Sequence, residues 1–286
     1  MFILLIHLLF NSAQANVCDF VPKNDMFIPD VPHWGGGISK KEFKDVIEKI
    51  SNYYKPIISA KGGVLSVNDL WQNSTVNASA EQENGKWILN MYGGLARHKL
   101  MTKDGFALVM CHELGHHLGG FPVYSSDSWA SDEGQSDYFA SMKCFRRVFE
   151  NEDHDVVLSK LSVPAIVFEK CSLGFKSKKE ISLCARESMA GLQVSHFLDD
   201  LRHFTSGGKP PFEITFDLPD TTEVPNTVHG HPGPQCRLDT YFAGAICPVS
   251  ASDDFSRYDS TTGACAIEKN DTYGYRPRCW YSPKSN

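Results

Sequence analysis

Apolar residues recur at three-and-four spacing between residues 104 and 118. Phe106, Val109, Met110, Leu114 and Leu118 fall roughly on one face, which predicts a helix, and Gly119-Gly120 supplies its stop. Upstream, Ser39-Lys-Lys-Glu42 is a capping box that opens a helix to about Tyr54, closed by Pro56. Between Gly62 and Gly94 the pattern becomes strand-like. Val64, Leu65 and Val67 predict one strand, Leu70 to Val76 a second and Trp87 to Tyr92 a third. Glu83-Asn84-Gly85-Lys86, with Asn-Gly at its centre, is a turn between the last two.

Downstream, Ser131 or Asp132 caps a helix to about Phe149. Further helices are expected over about 156–170, disturbed at Pro164, and about 177–204. A proline-rich linker, 209–234, leads to a short helix from Gln235 to about Ala245, and the last forty residues are loop-rich. The expected fold class is α+β: a mainly helical domain, residues 39–286, with a small mixed sheet packed on the helix at 104–118 and a disulfide-bearing C-terminal region. Residues 16–38, rich in Pro and Gly, are expected to form an extended arm.

Composition narrows the class. The 286 residues are 42% hydrophobic and 22% charged, within the globular range. The net charge is −6 and no run of Lys or Arg exceeds two, which argues against a nucleic-acid groove or a polybasic membrane patch. Residues 1–15 hold an apolar run, Phe2 to Phe10, and a small-x-small pattern, Ala13-Gln14-Ala15. That is a signal-peptide pattern, although no Lys or Arg precedes the run. No later stretch reaches the ~18 apolar residues of a membrane span. Export, to a periplasm or by secretion, is therefore expected.

The nine cysteines all follow residue 15 and none forms a CxxC pair, so disulfides are expected rather than a zinc ribbon. Cys236, Cys247, Cys265 and Cys279 are placed to staple the C-terminal region to itself. The odd count leaves one thiol over. Cys111, inside the helix at 104–118 and beside His112, is the candidate.

The chemistry is concentrated in Cys111-His-Glu-Leu-Gly-His-His-Leu-Gly-Gly120. It contains HExxH as His112, Glu113 and His116. Positions i and i+4 share a helix face, so both imidazoles can reach one zinc ion at ~2.0–2.1 Å. Glu113 flanks the ion and is placed as general base for a water whose pKa the metal lowers towards ~7. His117 lies ~100° round the helix and is read as a packing or surface residue. A catalytic zinc needs a third protein ligand. Glu133-Gly-Gln-Ser-Asp137 supplies Glu133, 17 residues after His116, with Asp137 on the same face. Asp137 is placed to accept a hydrogen bond from a ligand histidine and so fix its tautomer. His196 and His203 receive no ligand role, and Asp199 and Asp200 are read as a solvated face.

HELGH followed by ExxxD resembles the gluzincin zinc peptidases, the clan that includes thermolysin. Glu133-Gly-Gln-Ser-Asp-Tyr-Phe-Ala is similar to the third-ligand helix of the CaaX prenyl protease and HtpX-like endopeptidases. The likeness covers residues 86–145 and 226–246. It implies a single catalytic zinc, a protein or peptide substrate, and hydrolysis by metal-activated water. It implies that His231, of His231-Pro232, and Arg237 stabilise the oxyanion. It also implies that Trp87 to Tyr92 is an exposed sheet edge that pairs with substrate, with Asn90 and Tyr92 as substrate contacts. Membrane relatives carry spanning helices that this chain lacks, so the prenyl-protein substrate does not carry over. A soluble exported branch fits better, and the likeness favours a bacterial periplasm. Two other readings stand beside the peptidase: a secreted zinc-containing binding protein with silent catalysis, and a zinc amidase acting on cell-wall linkages.

Overall fold

The Ser39 capping box forms as its residues require. Ser39 Oγ accepts from the Glu42 amide at 3.2 Å, and the Glu42 carboxylate accepts from the Ser39 amide at 2.9 Å. Helix α1 then runs over Lys40–Ala60. Pro56 does not close it. The helix continues one turn further, because Ile58 on the face of Phe43, Ile50 and Tyr54 is buried in the core, which offsets the lost backbone bond. The computed structural model describes residues 17–31, 36–125, 128–206 and 213–283. The expected signal segment 1–15, the middle of the expected arm and the start of the proline-rich linker lie outside them.

Four strands form a mixed sheet: β1 (Cys18–Asp19), β2 (Val64–Leu70), β3 (Ala78–Glu83) and β4 (Lys86–Tyr92). Their order is β1-β3-β4-β2, with β2 parallel to β4 and the other pairs antiparallel. Asn84 and Gly85 both have positive φ and close the β3–β4 hairpin. Two expectations fail here. The second strand is Ala78–Glu83 rather than Leu70 to Val76. Ala78, Ser79 and Ala80 are all buried, and such small residues carry no alternation to read. The strand at Trp87 to Tyr92 is not an edge, because β2 and β3 flank it on both sides.

The single-turn helix α2 (Gly93–Ala96) leads to α3 (Lys103–Leu118), which carries HExxH. Apart from its ends, α3 is buried all round rather than on one face: β3 and β4, α1 and α8 pack against it. Next come α4 (Glu133–Phe139), a π-helical stretch (Ala140–Phe145) and α5 (Arg146–Phe149). Pro164 splits the expected helix 156–170 into α6 (His154–Leu158) and α7 (Ala165–Gly174). The remaining helices are α8 (Lys178–Ser206) and α9 (Pro234–Ile246), the latter opened by Pro at its first position. The architecture is thus α+β with a small mixed sheet, as the pattern predicts.

Four disulfides join Cys111–Cys144, Cys171–Cys184, Cys236–Cys279 and Cys247–Cys265. The C-terminal cysteines pair among themselves. Cys111 is not the free thiol; that is Cys18, which is buried. One residue is ~100° of helix rotation. Cys111 therefore faces Cys144 in the π-helical stretch, while His112, about a quarter-turn away, faces Asp137 on α4. Among the described residues no helix is long and apolar enough to cross a membrane.

Candidate metal centre

Two helices make the centre. α3 supplies His112 and His116 one turn apart, and α4 supplies Glu133 as its first residue. Their backbones approach closely at Gly115, where a Cβ would lie 2.7 Å from Ser136 Cα. Only glycine fits there, and this gives the Gly of HELGH a structural reason. The ligand atoms of His112, His116 and Glu133 all lie within 4.8 Å of one another.

Each imidazole is fixed through its Nδ1. His112 Nδ1 meets Asp137 Oδ1 at 2.7 Å. His116 Nδ1 donates to the Ser131 carbonyl at 2.9 Å. These bonds place the proton on Nδ1 and leave the Nε2 lone pairs free, as metal ligation requires. Both Nε2 atoms and Glu133 Oε2 are buried without a hydrogen-bond partner. His112 Nε2 and Glu133 Oε2 are 3.3 Å apart but lack hydrogen-bond alignment. Three buried acceptor atoms without a partner, all within 4.8 Å of one another, are costly unless a cation completes them. Two imidazoles and a carboxylate are a donor set suited to zinc, so the residues fit the ion the sequence implies.

The electrostatics point the same way. Burial opposes charge on His112, but Asp137 and Glu133 outweigh it and push its pKa up to about 9. Positive charge at this ring is stabilised, whether a proton or a metal carries it. Burial lowers His116 to about 4, so it is a neutral ligand. Burial also opposes charge on Glu133, yet His116 and His112 hold it well below the usual carboxylate range. Glu113 behaves oppositely: burial pushes its carboxyl well up, His112 partly offsets this, and Glu133 adds to it. Both its oxygens are unpartnered, which suits a group that exchanges protons.

Compared with known proteins, the chain matches no family model, no curated protein and no solved structure. The function must therefore be argued from these residues.

Arg237, from α9, is brought to the centre but not to its open side. It is 2% exposed. Its Nε and Nη2 donate to the two oxygens of Asp137 at 2.7 Å each, and Nη1 donates to the Phe20 carbonyl at 3.0 Å. Nη2 also reaches the Tyr241 hydroxyl at 3.3 Å. This guanidinium is engaged at Asp137 and at the Phe20 carbonyl, and that is where the structure places the residue to which the family likeness gives an oxyanion role. His231 is partly exposed, and its Nε2 lies 3.5 Å from Glu133 Oε2 and donates to the Asp19 carbonyl at 2.7 Å.

The Asn90 amide is held inside the sheet by Asn68, Ser79 and Glu81. Asn90 thus lies in an interior strand and not at the sheet edge where the family likeness puts its substrate contact. Tyr92, at the end of β4, is half-buried beside Ser79, in the field of Asp19, Glu81 and Glu113. Burial raises its pKa. His117 stacks between Trp87 and Trp129, with centroids at 5.3 and 4.7 Å, and is a packing residue.

Sequence reasoning missed Tyr124, whose hydroxyl donates to Glu133 Oε1 at 2.7 Å, and Phe20, whose ring meets His112 edge-on at 4.9 Å. Tyr124 precedes α4 in a loop and Phe20 is remote in sequence, so no local spacing marks either. An apolar cavity of about 390 Å³, lined by Val21, Leu198, Leu201, His231 and Pro234, adjoins the centre at His231. The grouping of Asp220 with Cys236 and Cys279 offers no metal site, because those cysteines are bonded to each other.

Proposed function

We propose that this protein is a zinc-dependent endopeptidase of gluzincin type, from a soluble exported branch resembling the CaaX prenyl protease and HtpX-like enzymes. One observation carries the reading. The free Nε2 atoms of His112 and His116 and Oε2 of Glu133 converge, and beside them stands the unpartnered, buried carboxyl of Glu113. Zinc in such a set supplies Lewis acidity to a carbonyl and to water.

The chain's own groups supply the rest. Glu113 removes a proton from the attacking water as its oxygen bonds to the substrate carbonyl carbon. It returns that proton to the amine as the carbon–nitrogen bond breaks. His231 Nε2, already donating to a backbone carbonyl, donates to the substrate carbonyl oxygen as its charge grows. Tyr124 holds Glu133 in place through Oε1. Asp137, clamped by Arg237, keeps the His112 proton on Nδ1. The apolar cavity beside His231 suits a hydrophobic substrate side chain.

Four disulfides fit an oxidising compartment, and we place the protein outside the cytoplasm, in a periplasm or secreted. The test is digestion of unfolded casein by wild type and Glu113→Gln, with bound zinc measured in both. The expected result is full zinc in each and a loss of ~10²-fold or more in cleavage, as removal of a general base predicts. Equal zinc with equal cleavage would overturn the role of Glu113. Equal zinc and no cleavage by either form would favour a binding protein. Cleavage of cell-wall fragments but not of casein would favour the amidase.

A further inference from the structure

A peptidase must admit a substrate chain to its metal, yet His112, Glu113, His116 and Glu133 are each 0% exposed. The segment Cys18–Phe20 contributes to that closure. Strand β1 adds antiparallel to the edge of β3, with Cys18 opposite Ala80 and Asp19 opposite Ser79. The Phe20 amide continues the ladder to the Ala78 carbonyl at 2.9 Å. This is how an extended peptide docks by strand addition. The Asp19 carbonyl accepts from His231 Nε2, the atom that also lies 3.5 Å from Glu133 Oε2. A backbone carbonyl thus already occupies the donor that the mechanism needs for substrate. The Phe20 carbonyl takes Arg237 Nη1, and the Phe20 ring covers both His112 and the Arg237 guanidinium. Cys18 carries the buried free thiol, within the field of Glu133, Glu113 and Asp132.

We propose that Cys18–Asp19 is an intramolecular plug, seated on β3 and His231 where substrate backbone must lie, so that the folded chain is latent until these two residues leave. The proposal rests on the peptidase reading for the identity of what is blocked. It deepens that reading by adding a regulatory element. The geometry makes release local. Just beyond the plug, Val21 is tied at both its amide and its carbonyl to the Asn77 side chain, at 3.1 and 3.2 Å. Further on, the Ile28 carbonyl is held by Arg97 at 2.8–3.0 Å. From Phe20, whose ring is fully buried in the core, the arm is anchored, whereas Cys18 and Asp19 hold by two residue pairs at the edge of the sheet. Such short edge strands open at low free energy without global unfolding.

The experiment uses the zinc-loaded exported protein and three readouts: alkylation of Cys18, zinc release to a chromophoric chelator, and casein cleavage. Cys18 is the one unpaired cysteine, so the four disulfides are silent to the alkylating reagent. In wild type, Cys18 should react at least ~100-fold more slowly than in urea-unfolded protein, since only the open fraction is competent. Cys18→Glu places a carboxylate among Glu133, Glu113 and Asp132 and should unseat β1. A chain beginning at Phe20 lacks Cys18 and Asp19 altogether. Both should keep the wild-type melting behaviour of the body of the protein. Both should release zinc and cleave casein at least ~10-fold faster, as the competent fraction rises.

Wild-type Cys18 reacting at the unfolded rate would overturn the proposal. So would two folded, zinc-loaded variants that release zinc and cleave no faster than wild type. If zinc release accelerates while no form cleaves casein, the plug stands and the peptidase reading falls. If all forms cleave equally, the peptidase reading stands and the plug falls.

Discussion

Replacing Arg237 by Gln separates two roles for one residue. In the structure Arg237 faces Asp137, not the space in front of the ligands. Both oxygens of Asp137 receive a guanidinium N–H at 2.7 Å, and both side chains are almost fully buried. Burial raises the Asp137 pKa, but Arg237 and His112 outweigh it and hold the carboxyl below its usual value. Removing one partner of a buried ion pair leaves the other uncompensated, at a cost of about 3–5 kcal/mol. The lower end applies here, because Asp137 retains the His112 Nδ1–H. The loss should be visible in urea unfolding of the metal-free protein, before any catalysis is considered. Zinc affinity, measured by chelator competition, should fall ~10–100-fold, because Asp137 no longer holds the His112 tautomer firmly.

The partner substitution supplies the control. Asp137→Asn alone strands a buried guanidinium, whereas Arg237→Gln with Asp137→Asn buries neither charge. The double variant should therefore be more stable than the sum of the single losses by at least ~1 kcal/mol, the signature of coupled sites. If Arg237→Gln left metal-free stability within ~0.5 kcal/mol of wild type, as for an uncoupled surface site, kept zinc affinity, and lowered only kcat, the argument would be refuted. Arg237 would then act on the substrate oxyanion, as the family likeness implies.

Gly115→Ala should push α3 and α4 apart, since its Cβ would meet Ser136 backbone at 2.7–2.8 Å, and zinc affinity should drop although no ligand changes. Opening the Cys111–Cys144 bridge with a double Ala substitution releases a loop spanning 33 residues, and unfolding free energy should fall by about 3–4 kcal/mol. Glu187, buried without a hydrogen bond and 3.8 Å from Arg146 Nη2, has its pKa raised by burial from 4.5 to about 8, with Arg146 and Arg186 only partly offsetting this. The folded protein keeps this proton while the unfolded chain loses it. Stability should therefore be full below about pH 4.5 for this group and decline as pH rises towards 8, by at most on the order of 4–5 kcal/mol. Glu187→Gln should remove that decline in urea titrations at pH 5 and pH 8.

The ligand cluster was legible because its signal is local. His112 and His116 are one helical turn apart, and Glu133 and Asp137 repeat that spacing, so helix geometry alone puts each pair on one face. The capping box at Ser39 and the Asn84-Gly85 turn are equally local. What stayed hidden depended on packing. The strand Ala78–Glu83 opens with three small, buried residues and closes on Glu81-Gln82-Glu83, so no alternation betrays it. Pro56 ends a helix by local rules, yet burial of Ile58 carries α1 past it. Cys111 seemed unsuited to a bridge because of its neighbour His112. The rotation that aims His112 at the metal, however, turns Cys111 towards Cys144.

The same logic accounts for Arg237 and links metal loading to access. Its sequence neighbourhood says only that a cation follows His231-Pro232. The fold gives it two obligations at once: its Nε and Nη2 clamp Asp137, and its Nη1 holds the Phe20 carbonyl. Phe20 in turn packs on His112 and on the guanidinium face. The arm and the metal ligand His112 are therefore bound through one shared side chain. Any coupling through it is reciprocal: if seating the arm firms the Asp137–His112 geometry, a metal that orders His112 must favour the seated arm by the same factor. A measurable consequence is that stripping zinc should raise the alkylation rate of Cys18 in wild type. In Arg237→Gln that dependence on zinc should be lost, because the link itself has been removed. A zinc effect that survived in Arg237→Gln would show that the coupling runs instead through the Phe20–His112 contact alone.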